Sequence, residues 1–248
     1  MKVQYFKFKS VNSTNDIAAE KINGINEINS PIVVTSQIQT KGRGRNNKIW
    51  FDGSNNLYYS FAIKHNINTI PIHFMQVIGG IAAYNTISTI IDKNIIRLKY
   101  PNDIYIFNDC YKKIAGIISE HFFSYNDICS SIIGIGINNK QSVFPDNLNA
   151  ISLYNLGKNI ENDYLTERLT NNISALINTD IAAILDNWKN KLNLHNKNIK
   201  VIDNKTKKIL AANFRLDTIL DDCRLLVADT DNNKRIIDNG DSIIYDLE

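Results

Sequence analysis

The segment from Gln39 to Trp50, QTKGRGRNNKIW, alternates two glycines with two arginines and ends in an aromatic ring. Arginine presents a planar fork of donors that matches carboxylate and phosphate groups. Glycine lets the backbone turn and approach another group closely. The arrangement therefore predicts an anion-binding loop built on Gly42-Arg43-Gly44-Arg45, although an exposed basic loop would have the same composition.

Other polar residues interrupt apolar segments, and each has an ordinary structural interpretation when it is taken alone. Lys99-Tyr100-Pro101-Asn102-Asp103 is a turn-forming sequence, and Ser13-Thr14-Asn15 is typical of a helix cap. Lys113 stands at the mouth of an apolar strand, where solvated lysines are common. Gly134-Ile135-Gly136-Ile137-Asn138 places glycines on one strand face, which permits either tight packing or the approach of a flat ligand.

Hydrophobic periodicity predicts the elements that must position these residues. Strands are predicted over residues 3–8, 31–37, 57–63, 95–100, 103–107, 113–120 and 128–137. A helix is predicted from a Ser13 cap, with Asp16 in a capping-box position, to Asn23-Gly24, and others over 73–91, 167–177 and 181–192. Because the central strands are joined by short links, neighbouring strands must run antiparallel. We therefore predict an α+β fold with a mixed, largely antiparallel sheet and flanking helices, and not a doubly wound sheet.

The pattern changes after Asn196, where short apolar segments alternate with polar turns. These segments are residues 200–203, 208–214, 224–229, 235–238 and 242–246. Short strands in even succession are typical of a small β-barrel. We therefore predict two domains, residues 1–194 and residues 195–248.

Composition excludes several classes of protein. The 248 residues include 28 Lys and Arg against 25 Asp and Glu, a net charge of +3, so a general nucleic-acid-binding surface is not expected. The chain has three cysteines, an odd number, at Cys110, Cys129 and Cys223, and no CxxC pair. This pattern favours reduced thiols in the cytoplasm over disulfides or a zinc site. The N-terminal segment alternates polar and apolar residues, which is not typical of a signal peptide. No segment approaches the ~20 apolar residues of a membrane span.

Six segments occur in a fixed order along the chain: STND, QTKGRGR followed by W, LKYPNDIY, KIAGIISE, GIGIN and FPDNLNAISL. In this order and spacing they resemble the biotin–protein ligase family across most of the chain. The resemblance implies a catalytic domain related to lipoate ligases, here residues 1–194, and a small SH3-like β-barrel, here 195–248. It also implies two reactions. Biotin and MgATP give biotinyl-5′-AMP and pyrophosphate, and a lysine of a biotin carboxyl carrier domain then displaces AMP.

The resemblance also assigns the site residues. Biotin would be bound by Ser13, Thr14, Asn15, Gln39, Arg43, Gly44, Arg45 and Lys113. ATP and the adenylate would be bound by Trp50, Lys99, Asn102, Asp103 and Asn138. The catalytic cations would be Arg45, Lys99 and Lys113. Mg²⁺ would enter with ATP, without a fixed protein site.

Charge considerations agree with these assignments, because attack of a carboxylate on an α-phosphate brings two anions together. Arg43 and Arg45 would neutralise them and fold over the adenylate, while Lys113 would hold the carboxyl oxygen. Trp50 would stack on adenine, and Asn138 would bind the edge of that base.

The Gly/Arg segment departs from the family pattern, and two alternative functions share parts of that pattern. Asn46-Asn47-Lys48 stands where the family usually carries more basic residues, so weaker retention of the adenylate is expected. Lipoate or octanoate ligases share the fold and a lysine resembling Lys113, but their Arg-Arg…Ser-Gly-Gly-Gly stretch is absent. A biotin-responsive DNA-binding repressor needs a helix-turn-helix module of roughly 50–60 residues, and 12 residues precede Ser13. We therefore expect no nucleic-acid or membrane partner, while edge strands could pair two subunits as a homodimer.

Overall fold

The computed structural model describes residues 2–24, 30–51, 53, 55–65, 70–124, 127–194, 197–203, 206, 208–237, 243–245 and 247. Seven strands form the main sheet, in the order β1-β2-β3-β7-β6-β5-β4. They are β1 (Gln4–Val11), β2 (Ile32–Gln39), β3 (Leu57–Lys64), β4 (Ile96–Lys99), β5 (Asp103–Asn108), β6 (Cys110–Ser124) and β7 (Asp127–Ile137). Only β1 and β2 pair in parallel among the described strands. The predicted mixed, largely antiparallel α+β fold is confirmed.

Four helices cover the two faces of this sheet. They are α1 (Thr14–Asn23), α2 (His73–Ser88), α3 (Asn162–Ile177) and α4 (Ile181–Leu192). Successive strand residues point to opposite faces, so Ile132 packs in the cluster around α1 while Ile133 packs in the larger core around α2. A Cβ at Gly79 would lie 2.6 Å from a methyl group of Ile133, so a glycine is needed where α2 crosses the sheet.

Two helix starts differ in detail from the predictions. Ser13 occupies the predicted N-cap position of α1, but its side chain makes no capping hydrogen bond. Helix α3 begins at Asn162, five residues before the predicted start at Glu167. Its first turn is polar and therefore shows no hydrophobic periodicity. That turn is fixed by side-chain hydrogen bonds instead, since Asn162 Oδ1 accepts from Asn139 Nδ2 at 2.7 Å.

The C-terminal strands form a second, antiparallel sheet in the order β11-β10-β9-β8-β12. They are β8 (Ile199–Ile202), β9 (Ile209–Ile219), β10 (Leu225–Ala228), β11 (Lys234–Ile237) and β12 (Ile243–Ile244). These correspond to the five strands predicted for the small barrel. The domain boundary between 194 and 195 stays a prediction, because residues 195–196 lie outside the described part of the chain.

The small sheet packs against the large one. The backbone N–H of Tyr100 donates to the Tyr245 hydroxyl at 2.7 Å, and one continuous apolar core includes residues of both sheets. Among the described helices, none combines the length and the hydropathy that a membrane span requires.

Candidate functional site

A cleft lies between strands β6 and β7 and the loop of residues 42–50, here called the Gly/Arg loop. Its empty space, together with the solvent at its open mouth, is about 890 Å³. The start of α1 and the end of β2 complete its walls. The cleft brings together most of the residues that the sequence assigned to a site, namely Ser13, Thr14, Asn15, Gln39, Arg43, Gly44, Arg45, Trp50, Asn102, Asp103 and Lys113. Segments that are separated by as many as 100 residues therefore meet at one place.

A network of neutral side chains forms one wall of the cleft. Gln39 Oε1 accepts hydrogen bonds from Thr14 N at 2.7 Å and from Thr14 Oγ1 at 3.0 Å. Ser60 Oγ lies 2.8 Å from Thr14 Oγ1 and 2.5 Å from the Asn15 carboxamide. All four side chains are buried, and Ser13 is buried beside them. Sequence analysis missed Ser60, although its signal was a single polar residue inside the apolar segment LYYSFAI.

Donors and acceptors of this network follow one direction. The Thr14 hydroxyl donates to Gln39, and the Ser60 hydroxyl faces two acceptors, Thr14 Oγ1 and Asn15 Oδ1. The Asn15 carboxamide also packs against Gly134. Ser60 therefore links Thr14 and Asn15 and holds both side chains in the wall of the cleft.

Two glycines and Trp50 form the floor of the cleft. Gly116 and Gly136 are paired across β6 and β7. A Cβ at Gly116 would lie 2.4 Å from Trp50 Cζ3, and one at Gly136 would lie 2.7 Å from Trp50 Cε2. The indole therefore lies directly on the two strand backbones. Its Nε1 is buried and has no hydrogen-bond partner among the described residues, which is costly for a donor.

Lys113 reaches the same floor and contacts both an aromatic ring and a carboxylate. Its Nζ lies 5.0 Å from the centre of the Trp50 ring, a cation–π distance. It also lies 2.7 Å from Asp103 Oδ1. That oxygen accepts no aligned hydrogen bond within the described part of the chain. The contact is therefore an ion pair in which the ammonium is not locked by hydrogen-bond geometry.

Arg43 is tied to two carboxylates of the chain itself. Its Nη2 and Nη1 lie 2.5 Å and 3.0 Å from the two oxygens of Asp16, which makes the pair bidentate, and Nη2 lies 3.4 Å from Glu120 Oε1. The hydrogen bond to Asp16 is the main reason why the pKa of Arg43 rises above its ordinary value. Arg43 thus fastens the Gly/Arg loop to α1, a role that sequence analysis missed.

The Gly/Arg loop is a small hairpin. Trp50 N donates to Gly42 O at 3.0 Å and Gly44 N donates to Lys48 O at 2.7 Å. The left-handed residue of the loop is Asn46, with φ 54°, and neither glycine has a positive φ. Gly42 instead allows a close approach of the two arms of the hairpin, because a Cβ there would lie 3.2 Å from Trp50 O, which is a tight contact.

The side chain of Arg45 differs from those of Arg43 and Lys113, because its guanidinium makes no ion pair or hydrogen bond within the part of the chain that the structure describes. Arg45 begins the single 3₁₀ turn of the loop (Arg45–Asn47) and lines the cleft. It also lines a second cavity next to the cleft. An unpartnered guanidinium at the junction of two cavities is suited to receive an anion.

Two of the predicted site residues do not line the cleft. Lys99 extends over the ring of Tyr105, with Nζ 5.1 Å from its centre. Asn138 is buried, and its Nδ2 donates to the backbone oxygens of Lys113 at 3.3 Å and Ile151 at 3.2 Å. A buried amide needs such partners, and Asn138 thereby anchors the strand that carries Lys113.

Asn102 lines the cleft and fixes the turn before β5. Its Nδ2 donates to Ile117 O at 3.0 Å, and the preceding Tyr100–Pro101 peptide bond is cis. No group of three or more His, Cys, Asp or Glu side chains in the described ranges is arranged to hold a metal ion. The site therefore presents cations, carboxylates and neutral hydrogen-bonding groups, and it can bind a ligand with both a neutral and an anionic part.

Comparison with known proteins agrees with the sequence motifs. Residues 7–138 match the family model of the biotin/lipoate A/B protein ligase family. The chain is 27% identical over 201 residues to the bifunctional ligase/repressor BirA of Escherichia coli (strain K12), a match that covers 77% of this chain. The match covers 60% of that protein, so the chain spans about three fifths of the length of this relative.

Solved structures share the fold. Biotin protein ligase from Aquifex aeolicus, in complex with biotin and ATP, superposes with a TM-score of 0.70 at 21% identity, over 99% of both chains. Biotin protein ligase from Leishmania major, in complex with biotinyl-5-AMP, superposes with a TM-score of 0.62 at 18% identity, over 96% of this chain and 99% of that one. At these identities the comparison establishes the architecture.

Proposed function

Because this chain belongs to the biotin/lipoate A/B protein ligase family, as its motifs predicted, we propose that it activates biotin with ATP and transfers it to a carrier-protein lysine. The observation that carries the proposal is the composition of the cleft. A neutral hydrogen-bonding network and a set of cations line one cavity, over a floor of glycines. Biotin has the matching composition, since it joins a neutral ureido ring to a carboxylate through an apolar chain.

The neutral network binds the ureido ring. A rigid neutral ring with donors and acceptors requires a few fixed polar groups in an otherwise apolar pocket. Ser13, Thr14, Asn15 and Gln39 supply the buried hydroxyl and amide groups. Ser60 does not line the cleft but orients Thr14 and Asn15 through its hydroxyl.

The glycine floor accommodates the rest of the substrate. Along β7, Gly134 lies against Asn15 and Gly136 lies against Trp50, two residues and so roughly 7 Å apart. The apolar chain passes over this floor toward Lys113. The Trp50 ring shifts to stack on adenine, and its buried Nε1 then gains a hydrogen-bond partner.

The cations act on the carboxylate and the α-phosphate. Lys113 exchanges its ion pair with Asp103 for the biotin carboxylate, while Arg45 binds the α-phosphate. An oxygen of the carboxylate forms a bond to α-phosphorus, the bond from α-phosphorus to the bridging oxygen breaks, and pyrophosphate departs with the electron pair. A carrier lysine then attacks the acyl carbon and releases AMP. Arg43 and Gly44 keep the loop over the adenylate during both steps.

Four further residues have supporting roles in this proposal. Asn102 and Asp103 orient the phosphate region, to which Mg²⁺ comes as its complex with ATP. Lys99 reaches the phosphates after its ammonium leaves the Tyr105 ring. Asn138 positions the strand of Lys113, and it contacts adenine only if it gives up a backbone hydrogen bond. The acceptor is the biotin carboxyl carrier domain of a carboxylase, and the reduced thiols Cys110 and Cys223 favour a cytoplasmic setting.

The test measures pyrophosphate release by the purified chain with MgATP and one acid at a time. We expect release with biotin and little response to lipoate or octanoate, because those acids have no ureido group for the neutral network. Equal or faster release with lipoate would overturn the proposal in favour of a lipoate ligase.

A further inference from the structure

Residues of the small sheet and of the segment after it contact the end of β4, an edge strand of the main sheet. Arg97 Nε, on β4, donates to Leu247 O at 3.2 Å. The Tyr100 hydroxyl, just after β4, donates to Ile237 O at 3.4 Å. The backbone N–H of Tyr100 donates to the Tyr245 hydroxyl at 2.7 Å. The C-terminal part of the chain therefore holds β4 and the turn that follows it.

The hydrogen bond between Tyr100 and Tyr245 is the shortest of these contacts, and both residues are buried. A buried backbone N–H that lacks an acceptor is costly. Here the acceptor is a side-chain hydroxyl, and Tyr100 is the first residue of the turn of residues 100–102. Loss of that hydroxyl would therefore loosen the turn where it begins.

The turn leads directly to two residues that line the cleft, Asn102 and Asp103. Asn102 joins the turn to β6, because its backbone oxygen accepts from Ile117 N at 2.8 Å and its Nδ2 donates to Ile117 O at 3.0 Å. Asp103 Oδ1 lies 2.7 Å from the ammonium of Lys113. A succession of short contacts therefore runs from Tyr245, through the turn, to the carboxylate that holds Lys113.

Tyr245 and Asp103 also interact through space. Burial is the main reason why the pKa of Tyr245 rises above its ordinary value, and the charge of Asp103 raises it further. The phenol therefore stays neutral at physiological pH and keeps its hydrogen. Tyr245 is thus linked to Asp103 both by the hydrogen-bonded turn and by electrostatics.

We propose that Tyr245 is a positioning residue for adenylate formation, because its hydroxyl fixes the turn that sets Asp103 against Lys113. The inference rests on the proposed function, and it concerns a residue that is not among the residues lining the cleft. Asp103 holds the ammonium of Lys113 over the floor of the cleft until the carboxylate of biotin takes its place. A small displacement of such a group costs rate, because catalysis depends on orientation.

Tyr245→Phe removes the hydroxyl and keeps the ring. The kcat of biotin-dependent exchange of pyrophosphate into ATP should fall about tenfold, the size expected when a buried N–H loses its acceptor. The KM for biotin should stay at the parent value, because the neutral network that binds the ureido ring does not contact the turn. Thermal denaturation establishes that the variant is folded at the assay temperature.

A second readout does not need catalysis. Acetic anhydride acylates accessible lysine amines, and mass spectrometry with peptide fragmentation gives the labelling of each lysine. The ion pair with Asp103 shields the amine of Lys113 in the parent. Tyr245→Phe should therefore raise the labelling of Lys113 relative to the adjacent Lys112 about threefold, as expected when a partly exposed ion pair is loosened.

Tyr164→Phe is the matched control. It removes a tyrosine hydroxyl that lies 3.3 Å from Thr89 Oγ1, and Tyr164 is not among the residues that line the cleft. This variant should change neither kcat nor the labelling ratio. If Tyr245→Phe does not fold, Arg97→Lys replaces it, because it gives up the contact with Leu247 O. Its kcat and labelling ratio should change in the same directions.

The two readouts allow the two proposals to fail separately. With an active parent, a parent-like kcat, a parent-like labelling ratio or a raised KM for biotin in the folded variant would overturn the inference and leave the proposed function standing. Increased labelling of Lys113 in Tyr245→Phe, with no biotin-dependent exchange by the parent, would overturn the proposed function and leave the link between Tyr245 and Lys113 standing.

Discussion

The ammonium of Lys113 lies 2.7 Å from Asp103 Oδ1, so a carboxylate of the chain itself holds the main cation of the glycine floor. The two side chains are only 27% and 21% exposed, which limits the screening of their attraction by water. In the proposed reaction the carboxylate of biotin therefore replaces Asp103 or shares Lys113 with it.

Lys113→Ala should reduce biotin-dependent adenylate formation at least roughly 100-fold, because the ammonium acts where the biotin carboxylate approaches the negatively charged α-phosphate. Binding of biotin should weaken much less, since the ureido ring keeps its contacts. Pyrophosphate exchange and equilibrium binding measure the two effects separately. The neighbouring Lys112→Ala is the control and should behave like the parent. Near-normal exchange in Lys113→Ala would make this lysine an ordinary strand-end residue.

Ser60→Ala should raise the KM for biotin about tenfold and leave kcat almost unchanged. The hydroxyl supports Thr14 and Asn15 equally in the bound substrate and in the transition state, which is the pattern of uniform binding. The magnitude follows from leaving a buried partner unsatisfied. Steady-state kinetics with biotin as the varied substrate provide the measurement.

Ser130→Ala is the matched control for Ser60, because Ser130 is buried in β7 and its hydroxyl has no partner in the described structure. Its removal should not change KM and should not destabilise the fold. A lower kcat with an unchanged KM in Ser60→Ala would contradict the role given to the network.

Asp16→Asn should increase the escape of biotinyl-AMP from the cleft. The substitution weakens the bidentate contact that fastens Arg43, and with it the Gly/Arg loop, to α1. Escaped adenylate acylates bystander lysines, so serum albumin incubated with the variant, biotin and MgATP should carry more biotin on a blot. Asp163→Asn is the control, since it removes a distant surface contact with Lys7. If the two variants label albumin equally while making adenylate at the parent rate, the loop does not retain the intermediate.

The stability of the fold should decrease as the pH falls from 6.5 toward 4. His65 Nε2 and His121 Nδ1 lie 2.5 Å and 2.6 Å from the Ser131 hydroxyl. Burial, and secondly the charge of His65, lowers the pKa of His121 from 6.5 to about 4, and burial lowers that of His65. The unfolded chain therefore binds protons below pH 6.5 that the folded chain does not, which favours unfolding.

Urea unfolding at pH 7.5 and pH 5 measures this effect. The parent should lose stability between the two pH values, and His121→Gln should lose less, because one of the two protonation sites is gone. An equal loss in both proteins would assign the acid sensitivity to other groups.

Sequence patterns predicted the fold, because it depends on hydrophobic periodicity and on the order of the elements. Alternation along β7 placed Gly134 and Gly136 on one face, and the family resemblance assigned Gln39 and Thr14 to one site, which in the structure is lined by both. The patterns did not predict which residues pair. Asp16 and Glu120 are far from Arg43 in sequence, and nothing local marks them as its partners. Ser60 lies within a continuous apolar strand segment, and the hydrophobic pattern of that segment does not indicate which hydrogen bonds the hydroxyl makes.

Lys99 and Asn138 show that a motif does not determine what a side chain contacts. Their motifs are present, but the packing of Lys99 on Tyr105 and the backbone bonds of Asn138 depend on neighbouring strands that no motif describes. A motif therefore predicts that a residue belongs to the region of a site, while the surrounding strands determine what its side chain contacts.

The most direct test measures whether the mass of an acceptor protein increases. The purified chain is incubated with biotin, MgATP and a biotin carboxyl carrier domain, and the carrier is analysed by mass spectrometry. We expect an increase of one biotinyl group on a single lysine, dependent on both ATP and biotin and lost when that lysine is replaced by arginine. A carrier of unchanged mass, under conditions in which an established biotin ligase modifies it, would contradict the account.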